Sequence, residues 1–334
     1  MKKIITMMTL LMSLQVAAQL PESPFISYRY KIAPSITYFD SSSEYFLQYN
    51  DGKERHTMTL KPNTQKQLVF GLNYHLLSVN FGVTPGFMQV NKDTQKTKQF
   101  NLGINISSKK WFHTLNVAHR KGYFMDFNEI NGFYSKISTL KLGGSTAFVL
   151  NDRFSYRSLA KNTEWQQKSA GSFVANTSFN YTKLNFGDDK DKIYAEMYNI
   201  MLAPSYYYNF IIKRNFMISI GLMVGTGFNF SDNDFDPIYE LTGHLRLAYN
   251  QENFFSFVAI NETNTSQKAK DGSFDDVYST LRIGIGYRFD APKKVNKVFD
   301  DFEHFYKKKL NSVNIFKKKE AETTQQQRKK DVFI

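Results

Sequence analysis

Histidine is the first residue type to examine for catalysis, because its side chain can accept and donate a proton near neutral pH. His113 and His119 share one face of a predicted strand but lie about 20 Å apart along it, too far to bind one metal ion. His244 shares a face with Glu240 and Arg246, with about 7 Å between neighbours. This spacing favours a hydrogen-bond network over an acid–base pair, so the sequence predicts no catalytic residues and a protein that is not an enzyme.

Metal and cofactor sites are not predicted either. The segment "SDNDFDP" places Asp232, Asp234 and Asp236 like the start of a calcium loop, but the glycine and the glutamate that complete such a loop are missing. The chain has no cysteine, which excludes thiolate metal sites and disulfides. Gly225 and Gly227 lie in mid-strand with no helix after them, unlike a phosphate-binding loop. We therefore expect no metal and no cofactor.

The dominant pattern of the chain is an alternation of apolar and polar residues. In "RNFMISIGLMVGTGFNF" (214–230), large apolar residues recur at every second position. Segments 67–74, 99–107, 239–249 and 280–289 alternate in the same way. A period of two indicates β-strands, and long strands with one apolar and one polar face suit a membrane-spanning barrel. The sequence predicts an all-β, up-and-down antiparallel transmembrane β-barrel of about twelve strands, within a range of about ten to fourteen.

Basic residues cluster on the face that would line the lumen of this barrel. If side chains alternate between the two faces of each predicted strand, the lumen-lining candidates are Arg29, Lys31, Arg120, Lys141, Arg157, Glu240, His244, Arg246, Arg282 and Arg288. In a water-filled pore such a lining favours anions. In a narrow barrel it would instead form salt bridges with a plug, with the tail or with lipid phosphate.

One connection has an unusual capacity for hydrogen bonding. In "TEWQQKSAGSF" (163–173), the candidate residues are Glu164, Trp165, Gln167 and Lys168. The loop either folds inward as a constriction or ligand-gripping loop, or stays on the surface with Trp165 as an anchor. Its length groups it with the longer connections expected on the outer side of the membrane. The run 154–160 is interpreted as a strand. It is one of three strand-like runs between two expected periplasmic turns. An up-and-down barrel requires an even number of strands there, so one of the three assignments must be wrong.

The beginning of the chain points to export. Residues 1–18 combine Lys2 and Lys3, a short apolar run and small residues near Ala18, which predicts a cleaved signal peptide. Residues 19–290 would then form the barrel in the outer membrane, in contact with its lipid. The formal charge of +13 would otherwise suggest nucleic acid as a partner. Export argues against nucleic acid.

The basic segment 291–334 follows the last strand and is expected in the periplasm. It carries twelve Lys and Arg against six Asp and Glu. Val295, Val298 and Phe299 recur at helical spacing. This pattern predicts a short helix that docks on a partner, on anionic lipid or in the barrel mouth, or a partly disordered extension from Lys317 onward.

Two blocks of sequence resemble a known family. "HRKGYFMDF" (119–127) and "RFSYRSLAKNTEWQQKSAGSF" (153–173) are similar to a family of bacterial proteins catalogued as a domain of unknown function. The resemblance extends over 25–289 and implies an outer-membrane β-barrel that follows a signal peptide. It implies no activity and no catalytic residue, because the family has none assigned.

The predicted function is that of a non-enzymatic, narrow, basic-lined channel or binding barrel for small anionic solutes. The first alternative is a scaffold in an envelope assembly, which would dock a periplasmic or envelope protein through residues 291–334. The second alternative is a lipid or peptide hydrolase at the barrel rim, for which His244 is the candidate residue.

Overall fold

The computed structural model describes most of the chain between Ser23 and Asp301. The described residues are 23–50, 54–62, 66–88, 98–108, 110–127, 130–187, 194–231, 234–269 and 272–301. The predicted signal peptide and most of the predicted tail lie outside them. Within the described residues, no helix is both long enough and apolar enough to cross a membrane.

Strands form nearly all of the described structure. In chain order they are β1 Phe25–Ser27, β2 Lys31–Asn50, β3 Arg55–Pro62, β4 Gln67–Tyr74, β5 Leu77–Val83, β6 Lys98–Ser108, β7 Trp111–Phe127, β8 Ile130–Val149, β9 Glu164–Gln166, β10 Ala170–Asn185, β11 Tyr194–Leu202, β12 Ser205–Lys213, β13 Phe216–Ser231, β14 Asp234–Asn250, β15 Phe254–Ala269, β16 Gly272–Tyr287 and β17 Phe289–Asp290. A single 3-10 turn covers Gly86–Met88, and helix α1 covers Tyr156–Ala160. A C-terminal helix begins at residue 293 and continues to the last described residue.

The long strands pair antiparallel and close into a barrel. β16 pairs with β2, which joins the last long strand to the first. β3 and β4 both pair with β2 and form one wall strand, and β11 and β12 both pair with β10 and form another. Pro204 separates β11 from β12, because its nitrogen has no hydrogen to donate to the ladder. Counted in this way the wall has about twelve strands, which confirms the prediction.

The β5–β6 hairpin spans only part of the wall height. β6 pairs with the first part of β7, whereas the last part of β7 pairs directly with β3. The wall therefore has twelve strands at the end with the short turns and ten at the other end. Since barrel diameter grows with strand number, the lumen is wider at the short-turn end.

β13 shows the two faces that the alternation predicts. Phe216, Ile220 and Leu222 are about half exposed on its outer face, whereas Met217 and Ser219 are fully buried on its inner face. Large apolar side chains are exposed in the same way on the other wall strands, for example on β4, β11 and β16. An apolar outer surface of this extent suits contact with hydrocarbon rather than water.

Both ends of the barrel chain lie at the short-turn end. Two or three residues connect β4 to β5, β6 to β7, β12 to β13 and β14 to β15 there, whereas the other end has the longer connections 84–97 and 186–193 beside three connections of two residues. Outer-membrane barrels keep their short turns in the periplasm. We therefore call this end the periplasmic end, and the other the outer end.

Residues 150–169 connect β8 to β10 at the periplasmic end, so the connection predicted for the outer side at 162–170 lies at the periplasmic end instead. The predicted strand 154–160 is also wrong, because these residues form α1 and its N-cap Ser155, whose side chain accepts a hydrogen bond from Ser158 N–H. Apolar residues in so short a run suit a helix or a strand equally, so their period could not decide between the two. This correction removes the odd strand from the predicted count.

Candidate functional site

Residues 150–169 fold into the periplasmic mouth of the barrel, where β9 pairs with β1; we call them the plug. Trp165 is only 4% exposed, packs with wall residues Met217 and Ala248, and donates its indole N–H to the Arg214 carbonyl oxygen over 2.8 Å. Elsewhere the plug contributes to an apolar cluster of Phe112, Val149, Phe154, Leu159 and Val174. The sequence left open whether this loop folds inward or stays on the surface, and the structure shows it inside.

Buried hydrogen bonds hold the plug together from within. Glu164 accepts from Ser155 Oγ at 2.6 Å and pairs with Arg157 at 2.5 Å. The Gln166 side chain accepts from the Ser155 N–H and donates to the Arg153 carbonyl oxygen, both at 2.7 Å. Because these partners all belong to the plug, it is a compact unit whose polar groups satisfy one another.

Arg288 connects the plug to the turn between β14 and β15. Its guanidinium donates to the carbonyl oxygens of Asn162 at 2.8 Å and Gln251 at 3.0 Å, and to Asn250 Oδ1 at 2.8 Å. The same group lies 4.0 Å from the centre of the Tyr28 ring. Asn162 has a positive φ of 55°, in the left-handed region that asparagine tolerates better than most residues. This backbone conformation presents the Asn162 carbonyl oxygen to Arg288.

Lys161 makes a second polar connection between plug and wall. It is 1% exposed, and its Nζ donates to the carbonyl oxygens of Leu76 at 2.7 Å and Asn105 at 3.0 Å and to Ser107 Oγ at 3.1 Å. Three oxygens match the three N–H groups of an ammonium ion. Burial, with a contribution from the nearby charge of Arg157, lowers the pKa of Lys161 to about 7. The proton on this amine is therefore lost near neutral pH.

A cavity of about 760 Å³ lies in the lumen between the plug and the outer end. Its volume falls within the range of about 300–1,000 Å³ that is usual for ligand sites. The described residues that line it are mainly asparagine, threonine, serine, glycine and aromatic residues. The charged residues among them are Arg120, Lys141, Lys161, Glu240, Arg246, Asp276 and Arg282. Five basic residues thus face two acidic ones.

The basic residues nearer the outer end have compensating partners. Lys141 pairs with Asp276 at 2.7 Å. Glu240 accepts from Thr265 Oγ1 at 3.4 Å, and Arg120 lies over an aromatic ring, 5.4 Å from its centre. This part of the lumen is close to electrically neutral.

Nearer the plug, two arginines face the cavity with no acid beside them among the described residues. Arg246 is 4% exposed, donates to the Asn162 side chain and lies 3.9 Å from the centre of the Phe257 ring. Its Nε has no hydrogen-bond partner among the described residues. Arg282 is exposed to the cavity and forms no hydrogen bond or ion pair within the described part of the chain. Arg246 and Arg282 both pair with Ala259 on the strand between them, so the two positive charges lie close together and an anion between them would be stabilised.

His244 completes this basic group. Its Nδ1 lies 2.6 Å from Asn261 Oδ1, and its ring packs edge-on against Tyr207 at 5.9 Å. Its Nε2 is buried and has no partner in the described structure. The histidine is therefore oriented by Asn261 rather than by Glu240, the residue considered for an acid–base pair.

The wall away from the arginines carries a row of asparagine and glycine residues. The row runs across neighbouring strands through Asn80, Gly103, Asn116, Gly143, Asn180 and Asn199, and we call it the asparagine–glycine belt. A Cβ on Gly143 would lie 2.6 Å from Asn180 Oδ1, and one on Gly103 would lie 3.0 Å from Asn116 Oδ1. Each of these glycines leaves the space that a neighbouring asparagine side chain occupies. The belt thus presents amide donors and acceptors to the cavity.

Six of the ten predicted lumen residues line the cavity: Arg120, Lys141, Glu240, His244, Arg246 and Arg282. The other four lie around the plug. Arg29 donates to His75 Nε2 at 2.5 Å, and Lys31 pairs with Glu252 at the periplasmic rim. Arg157 belongs to α1, and Arg288 is covered by the plug. The alternation rule does not apply to Arg29, Arg157 and Arg288, because these residues lie outside continuous strands.

The four predicted loop residues separate into two pairs. Glu164 and Trp165 are buried in the plug at 4% exposure each. Gln167 and Lys168 are half-buried and lead from the plug towards β10, and the Gln167 N–H donates to the Pro24 carbonyl oxygen at 2.9 Å. The first pair stabilises the plug, and the second connects it to the wall.

Sequence reasoning missed Lys161, Asn162 and the asparagine–glycine belt. Spacings such as Asn80 with Gly82 and Asn101 with Gly103 are visible in the sequence as alternating polar positions. The register that aligns such residues across strands is not visible there, since it is set by turns and by barrel closure.

A family model described as "Domain of unknown function (DUF4421)" matches residues 25–289. No curated protein matches the chain.

Several solved outer-membrane proteins are similar in structure. The outer membrane protease OmpT from Escherichia coli is 10% identical, with 83% of this chain and 100% of that chain covered and a TM-score of 0.38. The translocator domain of the autotransporter NalP from Neisseria meningitidis is 8% identical, with 86% and 95% covered and a TM-score of 0.39. The COG4313 outer membrane channel from Pseudomonas putida F1 is 13% identical, with 81% and 100% covered and a TM-score of 0.37. Likenesses this distant say nothing about activity.

Proposed function

The chain belongs to the family described as a domain of unknown function (DUF4421), and we propose its role from the geometry of its own lumen. It is an outer-membrane β-barrel. We propose that it is a narrow, non-enzymatic channel that binds and passes small anionic solutes and is closed at its periplasmic end by the plug. The observation that carries the proposal is the pair Arg246 and Arg282, which face the cavity without an acid beside them.

The charge of these arginines acts more strongly in the lumen than it would in bulk water. Two unit charges 4 Å apart interact by about 1 kcal/mol in water but by about 4 kcal/mol at the effective dielectric constant of a protein surface. An anion in this part of the cavity gains that attraction, and a cation meets a matching repulsion. Since the outer part of the lumen is nearly neutral, the selectivity of the channel depends on the part next to the plug.

The plug can leave the mouth without opening the wall. β8 and β10, which flank it in the chain, pair directly with each other from Val149 with Val174 to Ser138 with Asn185. The wall therefore stays closed when residues 150–169 move. The plug is held by its own side-chain contacts, notably those of Lys161, Trp165 and the apolar cluster, which supports a role as a gate.

An engineered disulfide tests this proposal, because the natural chain has no cysteine. Ser158 Oγ in the plug lies 3.2 Å from Asn209 Nδ2 in the wall, so Ser158→Cys combined with Asn209→Cys places a thiol of the plug opposite a thiol of the wall. In planar bilayers we expect no current from the oxidised double variant. Reduction should restore the openings of the wild type, and their current should be anion-selective.

The Ser158→Cys single variant is the matched control and should respond to neither oxidant nor reductant. Equal current from the oxidised and reduced double variant would show that the plug is not the gate. Cation preference in any open form would contradict the role of Arg246 and Arg282. Silence from every form, with each shown to be folded, would contradict a channel altogether.

The position of the C-terminal helix favours a second candidate function, a scaffold. The Tyr74 hydroxyl donates to Asn296 Oδ1 at 2.6 Å, and Phe299 packs edge-on against Tyr74 at 4.8 Å. The helix is therefore held at the periplasmic rim, where it positions the rest of the basic tail for a periplasmic or envelope protein or for anionic lipid. Deletion of residues 302–334 should abolish copurification of such a partner, and a truncated protein that retained every partner would contradict this candidate.

A further inference from the structure

We propose that the lumen binds a phosphorylated sugar, with the phosphate between Arg246 and Arg282 and the hydroxyl groups on the asparagine–glycine belt. This inference names the class of solute that the proposed channel would take. Passage of the ligand rests on the proposed function, whereas binding of the ligand does not. The arginine pair, His244 and the belt each supply a separate part of the argument.

The arginine pair is spaced for one tetrahedral oxyanion. Arg246 pairs across the sheet with Ala259, and Ala259 pairs with Arg282. Two strand spacings separate the arginine Cα atoms by about 10 Å, and only the short side chain of Ala259 stands between them on this face of the wall. Two guanidinium groups that approach from opposite sides can share the several oxygens of a phosphate, whereas one bidentate arginine is enough for a carboxylate.

Apart from the Arg246 group that donates to Asn162, the donors of this pair are not used within the described structure. Arg246 Nε is buried with no partner among the described residues, and Arg282 has neither a hydrogen bond nor an ion pair there. The nearby acids are engaged elsewhere: Asp276 with Lys141, and Glu240 with Thr265. A buried donor without an acceptor is unfavourable, and a ligand oxygen would satisfy it.

His244 adds a hydrogen-bond acceptor to these donors. Asn261 Nδ2 donates to Thr280 Oγ1 at 3.2 Å, which leaves Asn261 Oδ1 to accept from His244 Nδ1 at 2.6 Å. With its proton on Nδ1, the ring presents a lone pair on Nε2, and this atom is buried and unpartnered in the described structure. It is suited to accept from a P–OH group or from a hydroxyl next to the phosphate.

The belt provides for the uncharged part of the ligand. Its asparagine side chains present both N–H donors and carbonyl acceptors, the pairing that sugar hydroxyl groups need. Asn116 is exposed to the cavity, and Gly103 and Gly143 on either side of it make room for the amide groups of Asn116 and Asn180. Charge on one wall and neutral amides on another match a molecule with a phosphate at one end and hydroxyl groups at the other.

Equilibrium dialysis with full-length protein tests the proposal. The protein is refolded in detergent in the presence of each of four probes, so that access to the lumen does not depend on the plug. The probes are glucose 6-phosphate, inorganic phosphate, glucuronate and glucose. We expect glucose 6-phosphate to bind about tenfold more tightly than inorganic phosphate or glucuronate, and glucose not to bind measurably.

Two variants separate the two halves of the site. Arg282→Gln should weaken both phosphate probes by about tenfold or more. Asn116→Ala should weaken glucose 6-phosphate by about threefold to tenfold and leave inorganic phosphate unchanged. Arg214→Gln, which changes an exposed arginine of a periplasmic turn, is the control and should leave all affinities unchanged.

The possible results either support or overturn the inference. Equal binding of inorganic phosphate and glucose 6-phosphate would overturn the sugar half, and equal binding of glucuronate would overturn the preference for phosphate. Binding of no probe, or full affinity in Arg282→Gln, would overturn the site. Tight binding without conductance would support the site and contradict the channel, so the two proposals fail separately.

Discussion

Basic residues inside the barrel bind two kinds of oxygen. Lys141 has the carboxylate of Asp276, whereas Lys161 and Arg288 have mainly backbone carbonyl oxygens. Neutral oxygens satisfy the donors but do not compensate the charge. A guanidinium keeps its proton under such conditions far more readily than an amine does. Among these residues, Lys161 is therefore the connection between plug and wall that is sensitive to pH.

The pKa of Lys161 predicts that alkaline conditions favour the closed plug. With the plug in place this pKa is about 7, against an ordinary value of 10.5 for an exposed lysine. Between these values the displaced plug binds a proton that the closed plug does not, so each rise in pH through this window favours closure. Below about pH 7 the amine is protonated in both states, and the equilibrium should no longer change with pH. The open fraction in planar bilayers should accordingly fall from pH 7 to pH 10.

Fluorescence gives an independent measurement of the same equilibrium. The chain has two tryptophans, so Trp111→Phe leaves Trp165 as a single reporter in the plug. Lys161→Met removes the titrating group and should abolish the change of both open fraction and fluorescence between pH 7 and pH 10. If the pH response persisted in Lys161→Met, a group other than Lys161 would be responsible for it.

At the scale of the strands, close approach depends on glycine at Gly227. A Cβ at this position would collide with the carbonyl oxygen of Ile200 on β11. Gly243, on the neighbouring strand β14, would meet nothing within 4 Å. We expect Gly227→Ala to destabilise the folded barrel by about 1–3 kcal/mol through overpacking, and Gly243→Ala to change its stability by less than about 0.5 kcal/mol.

Urea unfolding of each variant in the same detergent measures this difference. The contrast between the two glycines is the informative quantity, because both variants introduce the same methyl group into adjacent strands. Equal stability of Gly227→Ala and Gly243→Ala would mean that β11 and β13 are farther apart than described.

Strand patterning could be predicted because it is local, whereas the plug could not. In β13 the side chains at 216 to 230 alternate between two environments, and alternation is written in the sequence. Residues 154–160 contain a similar mixture of apolar and polar types. They became a helix because β8 ends at Val149 on the periplasmic side and the connection returns through the lumen, which depends on the whole barrel.

At the scale of the molecule, the C-terminal helix is attached to the barrel rather than free. Phe299 contacts Tyr74 and His75, and Arg29 pairs with Asp300 at 3.8 Å. We expect Phe299→Ser to release the helix and to increase tryptic cleavage at Lys294 or Lys297 about fivefold to tenfold.

Val298→Ser is the matched control, since Val298 is 65% exposed on the other side of the helix. Its cleavage rate should equal that of the wild type, as followed by mass spectrometry of the folded protein. Rapid cleavage of the wild type at the same lysines would contradict a docked helix.

The sequence by itself determined the strand type, the closed barrel of about twelve strands and the two faces of its wall. These properties follow from the alternation of neighbouring residues and from the need to pair every backbone group in lipid. The tertiary structure alone decided which basic residues share a site. Arg246 and Arg282 are 36 positions apart in the chain and become neighbours of Ala259 only through the register of three strands. It also decided that residues 150–169 fold into the mouth, because an inward fold depends on the space that the completed barrel leaves.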